Sequence, residues 1–247
     1  GAFRLLFHGT SLHGMQSVDP ARRTEPLSYY TRSGPIGQVF ADLGDRLGGL
    51  PVGAVGLGTG SIACFRQPGQ PWTFFEIDPA VERIARDPRY FTFLRDCAPD
   101  AEVVLGDARL SLRQASDAGF GVLVLDAYSS DAIPLHLITR EALALYLAKL
   151  APGGVLVFHI SNRHLDLEPV LGRLAADAGL TALVRRDLDV PREERRLGTH
   201  PSEYLVMARD VAHLEPLVVD KRWAPARRDA PLWTDDFSSL LSVFRWL

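Results

Sequence analysis

Five places in the chain carry residues that can bind or transform a ligand, and each follows an apolar stretch. Four of them are acidic or glycine-rich, and the last is polar. Carboxylates at several such positions suit a ligand that carries hydroxyls, an exocyclic amine and positive charge. The five groups are residues 56–60, Glu76 with Asp78, Asp107 with Ala108, Asp126 with Asp131, and His159 with Ser161 and Asn162.

The first group belongs to the segment Ala-Val-Gly-Leu-Gly-Thr-Gly-Ser at residues 54–61. Glycines at positions 56, 58 and 60 let the backbone turn tightly and approach a ligand closely. Glu76 follows sixteen residues after Gly60, at the end of an apolar segment, where a carboxylate accepts hydrogen bonds from ribose hydroxyls. The spacing predicts the start of a nucleotide-binding βαβ unit.

The apolar segments before these groups alternate with helical patterns, which predicts a mostly parallel sheet with helices on both faces. In such a sheet, ligands bind beyond the carboxyl ends of the strands, where the five groups lie. We expect a small β extension over residues 1–32, a catalytic domain over 33–247, and a mobile loop in the Arg- and Glu-rich segment 185–200. Strands are predicted at 52–55, 72–77, 103–105, 122–125, 155–160 and 202–208, and helices at 34–42, 60–66, 79–86, 107–115, 139–150 and 167–178.

Composition narrows the class of protein. The 247 residues carry a net charge of −3 and no apolar run of the ~18 residues that a membrane span needs, so we expect neither a nucleic-acid partner nor a span in this chain. The only cysteines are Cys64 and Cys97, from which we expect two free thiols in a reducing compartment, although a disulfide stays open. The start at Gly1 without methionine suggests a piece of a longer protein.

The same residues allow other interpretations. The loop is Gly-x-Gly-x-Gly rather than Gly-x-Gly-x-x-Gly, which favours an adenosine-type ligand over a dinucleotide. His159 and His164 lack a zinc spacing and no cysteine cluster exists, so no metal is expected. Asp107 can also cap a helix, and Asp126 with Asp131 can form a turn. A structural role for His159 is favoured over a catalytic one.

Several segments together resemble the spermidine synthase family, the polyamine aminopropyltransferases, which share the S-adenosylmethionine-dependent methyltransferase fold. They are Leu-His-Gly-Met-Gln at 12–16, Ser-Tyr-Tyr at 28–30, Glu76, Gly-Asp at 106–107, and Leu-Asp-Ala-Tyr-Ser-Ser-Asp at 125–131. The resemblance covers most of the chain from residue 8 to about residue 162. It is closest to bacterial spermidine synthase-like domains, some of which follow membrane-spanning segments.

The resemblance implies a Rossmann-like methyltransferase fold and transfer of an aminopropyl group from decarboxylated S-adenosylmethionine to an amine or polyamine. It implies a cytoplasmic protein, or the cytoplasmic domain of a membrane protein, and it allows a homodimer. Asp126 is the expected catalytic acid–base residue. The acceptor amine is expected at Gln16, Tyr30 (rather than Tyr29) and Asp131, and the adenosyl donor at Gly56, Gly58, Thr59, Gly60, Glu76, Asp78, Asp107 and Ala108.

Two departures from the family pattern leave alternatives open. Thr59 stands where the family has an aspartate that would pair with the donor's ammonium, so selection between decarboxylated and intact S-adenosylmethionine is expected to relax. The family's Asp-x-x-Asp is here Asp126-x-x-x-x-Asp131, which shifts the second carboxylate. A methyltransferase that uses intact S-adenosylmethionine, and a non-catalytic domain that senses an adenosyl ligand or polyamine, are the alternatives.

Overall fold

The structure, a computed structural model, describes residues 2–9, 11–44, 46–47, 49–127 and 134–245. The predicted substrate residue Asp131 lies outside these ranges. The strands are β1 Phe3–His8, β2 Ser11–Ser17, β3 Val52–Val55, β4 Trp72–Glu76, β5 Glu102–Leu105, β6 Phe120–Leu125, β7 Leu150–His159, β8 Thr181–Asp187, β9 Ser202–Ala208 and β10 Trp223–Pro225. The helices are α1 Pro35–Leu43, α2 Pro79–Arg86, α3 Phe93–Cys97, α4 Ala108–Gln114, α5 Arg140–Lys149, α6 Glu168–Asp177, α7 Arg192–Arg196 and α8 Glu215–Val218.

Eight strands form one sheet in the order β10-β8-β9-β7-β6-β3-β4-β5. The five strands from β7 to β5 are parallel, while β9 runs antiparallel to both of its neighbours and β10 antiparallel to β8. From β3 the chain continues to β4 and β5 on one side of the sheet, and it then returns to β6 and β7 on the other side of β3. The boundary between β3 and β6 is therefore the switch point at which open α/β sheets bind ligands.

Two hydrophobic cores cover the faces of this sheet. One is built on α1, the 3₁₀ helix Ser61–Phe65 and α8, and the other on α4, α5 and α6. Burial on both faces explains why the central strands are continuous apolar runs rather than alternating ones. The predicted α/β fold, a mostly parallel sheet with helices on both faces, is confirmed.

Helix caps place several acidic residues at the carboxyl edge of the sheet. Asp78 accepts a hydrogen bond from the Ala80 amide at the start of α2, and Asp107 accepts one from the Leu110 amide at the start of α4. Capping satisfies backbone amides that a helix leaves unpaired. Because each cap directly follows a strand, these carboxylates are fixed where strand and helix meet.

Strands β1 and β2 form a separate two-stranded antiparallel sheet, the N-terminal hairpin. It docks on the glycine loop, residues 56–60, so closely that a Cβ on Gly14 would lie 2.5 Å from Thr59 Oγ1. Gln16 of β2 connects the hairpin to other parts of the chain. The Gln16 amide nitrogen donates to the Arg23 carbonyl at 2.8 Å and to Thr92 Oγ1 at 2.9 Å. The boundary between residues 32 and 33 stays a prediction.

The prediction of a loop throughout residues 185–200 is wrong, whereas the mobility of this segment stays a prediction. Its first residues complete β8, and residues 192–196 form α7. The guanidinium of Arg185 is buried because it donates to Gln38 Oε1 at 2.6 Å and to both oxygens of Asp187. An arginine whose hydrogen-bond donors have partners can thus be buried in an interior strand. The Arg- and Glu-rich composition of the segment did not indicate such a strand.

The expectation of two free thiols is also wrong, because Cys64 and Cys97 form a disulfide with their Cα atoms 4.9 Å apart. Cys64 lies in the 3₁₀ helix that follows the glycine loop, and Cys97 ends α3. The two elements pack against each other, so the bond closes a loop of 33 residues next to the glycine loop.

We expect that replacing both cysteines, Cys64→Ser with Cys97→Ser, lowers the free energy of unfolding by about 3–4 kcal/mol, the chain-entropy value for a loop of this length. Urea unfolding of the oxidised wild type and the double variant measures the difference. Adding reductant should shift the wild type towards the variant and leave the variant unchanged. Alkylation of both cysteines in native, unreduced protein would contradict the disulfide.

Candidate active site

A cleft of about 520 Å³ opens at the carboxyl ends of the parallel strands, beneath the N-terminal hairpin. It brings together most of the residues that the sequence singled out. Eight of the predicted site residues line it, namely Tyr30, Gly56, Gly58, Glu76, Asp78, Asp107, Ala108 and Asp126. The cleft also has an apolar component, because Ile77 is 71% exposed within its wall.

Glu76 is held rigidly at the end of β4. Its Oε2 accepts a hydrogen bond from the Leu57 amide in the glycine loop, and its Oε1 accepts one from the Asp78 amide, both at 2.9 Å. The side chain is buried, yet the residue lines the cleft. Each carboxylate oxygen has a second lone pair, so the group can still accept hydrogen bonds from ligand hydroxyls.

The glycine loop adopts its shape because neighbouring backbone leaves no room for side chains. Gly56 has φ +94°, and a Cβ there would lie 2.3 Å from the Asp126 carbonyl oxygen. Gly58 has φ +52°, and a Cβ there would lie 2.5 Å from the His13 carbonyl oxygen. Both positions therefore need glycine for conformation and for space. The loop is clamped between the end of β6 and the hairpin.

Asp107 serves first as the cap of α4, which is the alternative that the sequence left open for it. Its Oδ1 accepts from the Leu110 amide and its Oδ2 contacts His136 Nε2, each at 2.9 Å. Burial alone would raise the pKa of this carboxyl, but the Leu110 amide and His136 outweigh burial and lower the pKa below its ordinary value. The group is thus an anion in the cleft wall at neutral pH.

Asp126 directly follows β6, and its side chain is only 6% exposed. The Tyr30 hydroxyl donates a short hydrogen bond to its Oδ2, and His159 Nδ1 lies 2.7 Å from its Oδ1. Burial, together with the nearby Asp126 charge, raises the pKa of the Tyr30 phenol well above its ordinary value. Tyr30 therefore remains a hydrogen-bond donor, and the carboxylate is paired on both oxygens.

Three of the predicted residues do not line the cleft. Gln16 is buried between Arg23 and Thr92, as described above, and Thr59 packs beneath the hairpin with its hydroxyl buried. Gly60 contacts Leu94 instead of open space. The predicted binding roles of Gln16 and Thr59 stay predictions, and the geometry around them is that of packing between elements.

The cleft is also lined by residues to which the sequence assigned no specific catalytic or binding role. The sequence favours a structural role for His159, although its position at the end of β7 is the same kind of signal that points to Asp126 after β6. The Tyr29 ring stacks on His159 with centroids 4.4 Å apart. His136 comes from a short 3₁₀ helix, Leu135–Leu137, with no pattern to mark it. Ser161 follows β7 within the cleft wall.

The cleft thus offers carboxylates and an apolar wall, which suits a ligand with hydroxyls and an aromatic group. Within the described ranges, no three His, Cys, Asp or Glu side chains converge as metal ligands would. Nor does any described helix combine the length and apolar character that crossing a membrane requires.

Comparison with known proteins gives a partial match in sequence. No protein-family model matches the chain. A polyamine aminopropyltransferase of Vibrio vulnificus (strain CMCP6) is 37% identical over 108 residues, which is 42% of this chain and 35% of that protein. The aligned region is therefore about one third of the length of the curated relative.

Solved structures match over nearly the whole chain. A probable spermidine synthase from Corynebacterium glutamicum ATCC 13032 aligns with 96% of this chain and 94% of its own, at a TM-score of 0.58 and 17% identity. A spermidine synthase in complex with the transition-state analogue AdoDATO aligns with 94% and 83%, at a TM-score of 0.57 and 16% identity. The chain thus has the fold of spermidine synthases and resembles a polyamine aminopropyltransferase in sequence over part of its length.

Proposed function

We propose that this chain is an aminopropyltransferase that moves the aminopropyl group of decarboxylated S-adenosylmethionine to a small amine or polyamine. The observation that carries the proposal is the Asp126 carboxylate, which is buried, paired on both oxygens and open to the same cleft as Glu76. The partial match to a polyamine aminopropyltransferase supports it.

The donor end of the cleft is proposed at the glycine loop. Glu76 would accept hydrogen bonds from the two ribose hydroxyls, because the Leu57 and Asp78 amides hold both of its oxygens in place. Asp107 would lie near the exocyclic amine of the adenine, and exposed Ile77 would pack against the purine ring. This arrangement follows the rule that nucleotides bind beyond the strand ends.

The chemistry at the other end requires a proton acceptor. A neutral amine nitrogen attacks the carbon next to the sulfonium, a nitrogen–carbon bond forms, and the carbon–sulfur bond breaks with its electrons going to sulfur. The products are a thioether, methylthioadenosine, and an alkylated ammonium whose proton passes to the Asp126 carboxylate. Because the sulfonium is already a good leaving group, positioning in the cleft supplies much of the remaining rate enhancement.

Tyr30 would help to position the acceptor. Its hydroxyl donates a hydrogen bond to Asp126 Oδ2, and the residue forms part of the cleft wall. The Tyr30 ring therefore borders the part of the cleft next to Asp126, as expected of a residue that closes over the acceptor. Asp131 is proposed as a second contact for the acceptor on the strength of the motif alone.

Donor binding is tested by Glu76→Ala. Each lost hydrogen bond to a charged group is worth about 1.5–3 kcal/mol, so methylthioadenosine should bind at least tenfold more weakly by calorimetry. Glu215→Ala is the matched control, because its carboxylate pairs with Arg46 on an exposed surface outside the cleft. Equal affinity of wild type and Glu76→Ala, with both proteins folded by circular dichroism, would refute the ribose assignment.

The reaction is tested by Asp126→Asn, which keeps the size of the side chain and removes its basicity. With decarboxylated S-adenosylmethionine and a panel of di- and polyamines, kcat should fall by about 10²–10⁴-fold, while affinity for methylthioadenosine changes little. Asp177→Asn, at the exposed end of α6, should retain the wild-type rate.

The same assay separates the rival activities. Aminopropyl transfer releases methylthioadenosine, whereas methyl transfer from intact S-adenosylmethionine would release S-adenosylhomocysteine. Wild-type turnover only with the intact donor would replace the proposal with a methyltransferase. Binding of methylthioadenosine without turnover of either donor would favour the sensor alternative.

A further inference from the structure

His159 ends β7 beside the Asp126 carboxylate. Its Nδ1 lies 2.7 Å from Asp126 Oδ1, and the two side chains are only 5% and 6% exposed. An ionised carboxylate accepts hydrogen bonds and cannot donate them, so Nδ1 carries the hydrogen of this contact. The residue lies in the cleft wall but belongs to none of the segments that resemble the spermidine synthase family.

Ser161 contacts the other nitrogen of the ring. The distance from His159 Nε2 to Ser161 Oγ is 2.8 Å, and the same oxygen accepts a hydrogen bond from the Glu203 amide at 2.8 Å. With its oxygen held by that amide, the Ser161 hydroxyl is placed to donate its hydrogen to Nε2. A donor at Nε2 and an anion at Nδ1 both favour the tautomer with its hydrogen on Nδ1 over the tautomer with its hydrogen on Nε2.

Aromatic rings hold the imidazole in its plane. The Tyr29 ring stacks on it at 4.4 Å between centroids with a 21° interplanar angle, and the Tyr204 ring at 4.8 Å with 24°. Burial, followed by the Asp126 charge, raises the pKa of the Tyr29 phenol well above its ordinary value, so this neighbour stays neutral. The ring thus has little freedom to rotate away from Asp126.

We propose that His159 is the positioning residue of Asp126: Ser161 fixes the imidazole as the Nδ1–H tautomer, and the imidazole fixes Asp126 through Oδ1. The inference rests on the proposed aminopropyl transfer. Oδ2 also accepts the Tyr30 hydrogen bond, and its second lone pair is then the one that takes the proton from the attacking nitrogen. Nothing is oxidised or reduced, and His159 keeps its own hydrogen throughout the step.

Paired substitutions test the role in turnover. His159→Phe keeps a flat ring for Tyr29 and Tyr204 to stack on but removes the donor at Nδ1. It should lower kcat at least 30-fold, with the acceptor KM and the affinity for methylthioadenosine within threefold of wild type. His159→Asn places an amide N–H where Nδ1–H was, so it should restore kcat to within tenfold of wild type. His213→Asn, beside Gly153 at the opposite end of β7, is the matched control.

A second measurement does not depend on turnover. In protein labelled with ¹⁵N-histidine, nitrogen chemical shifts should show His159 as the Nδ1–H tautomer. Ser161→Ala removes the donor at Nε2 and should raise the Nε2–H fraction above that of wild type, while the Asp126 carboxylate keeps Nδ1–H the major form. The same variant should lower kcat without weakening methylthioadenosine binding. It also serves as the activity test if His159→Phe does not fold.

The outcomes separate the two proposals. An Nε2–H tautomer in wild type, wild-type kcat in His159→Phe, or equal loss in His159→Asn and His159→Phe would each overturn the positioning role. If no amine reacts with either donor in wild type, the proposed function fails. A wild-type Nδ1–H tautomer whose fraction falls in Ser161→Ala would still support the Ser161–His159–Asp126 array, whereas an unchanged fraction would overturn the role of Ser161 in fixing the tautomer.

Discussion

The buried carboxylate of Asp126 is the charge on which the site depends. An unpaired charge in this position would cost several kcal/mol, so its surroundings must supply hydrogen bonds. They come from separate parts of the chain, since Tyr30 follows the N-terminal hairpin and His159 ends β7. The Asp126 amide also donates to the Val55 carbonyl at 2.9 Å. One short segment after β6 therefore connects the hairpin, the central strands and the glycine loop.

The central sheet could be predicted because strands buried on both faces are short apolar runs bounded by turns. β3, β9 and α2 have the bounds expected from the sequence. The region around β8 could not be predicted, since the burial of Arg185 depends on its hydrogen bonds to Gln38, Asp187 and the Ser33 carbonyl. The disulfide likewise depends on the tertiary contact between α3 and the 3₁₀ helix that contains Cys64.

The position of a residue at the end of a predicted strand was an informative signal for the candidate site. It located Glu76, Asp107 and Asp126 in one cleft because parallel strands present their carboxyl ends at one edge. Gln16 and Thr59 lie where the hairpin docks, and no local pattern shows whether such a side chain faces the cleft or the packing beneath it. The Asp126–His159 contact joins residues 33 positions apart in sequence, so their pairing becomes visible only in three dimensions.

The position of β9 between β7 and β8 has a consequence for how the chain is made. β9 follows both of its neighbours in sequence, so a nascent chain that has not reached residues 202–208 leaves one edge of β7 without its partner. The Glu203 amide that anchors Ser161 and the Tyr204 ring that stacks on His159 are also missing at that stage. Open edges of apolar strands promote aggregation. Synthesis that stalls before β9 would therefore expose an unpaired, aggregation-prone edge of β7 and an incomplete candidate site to chaperones and proteases.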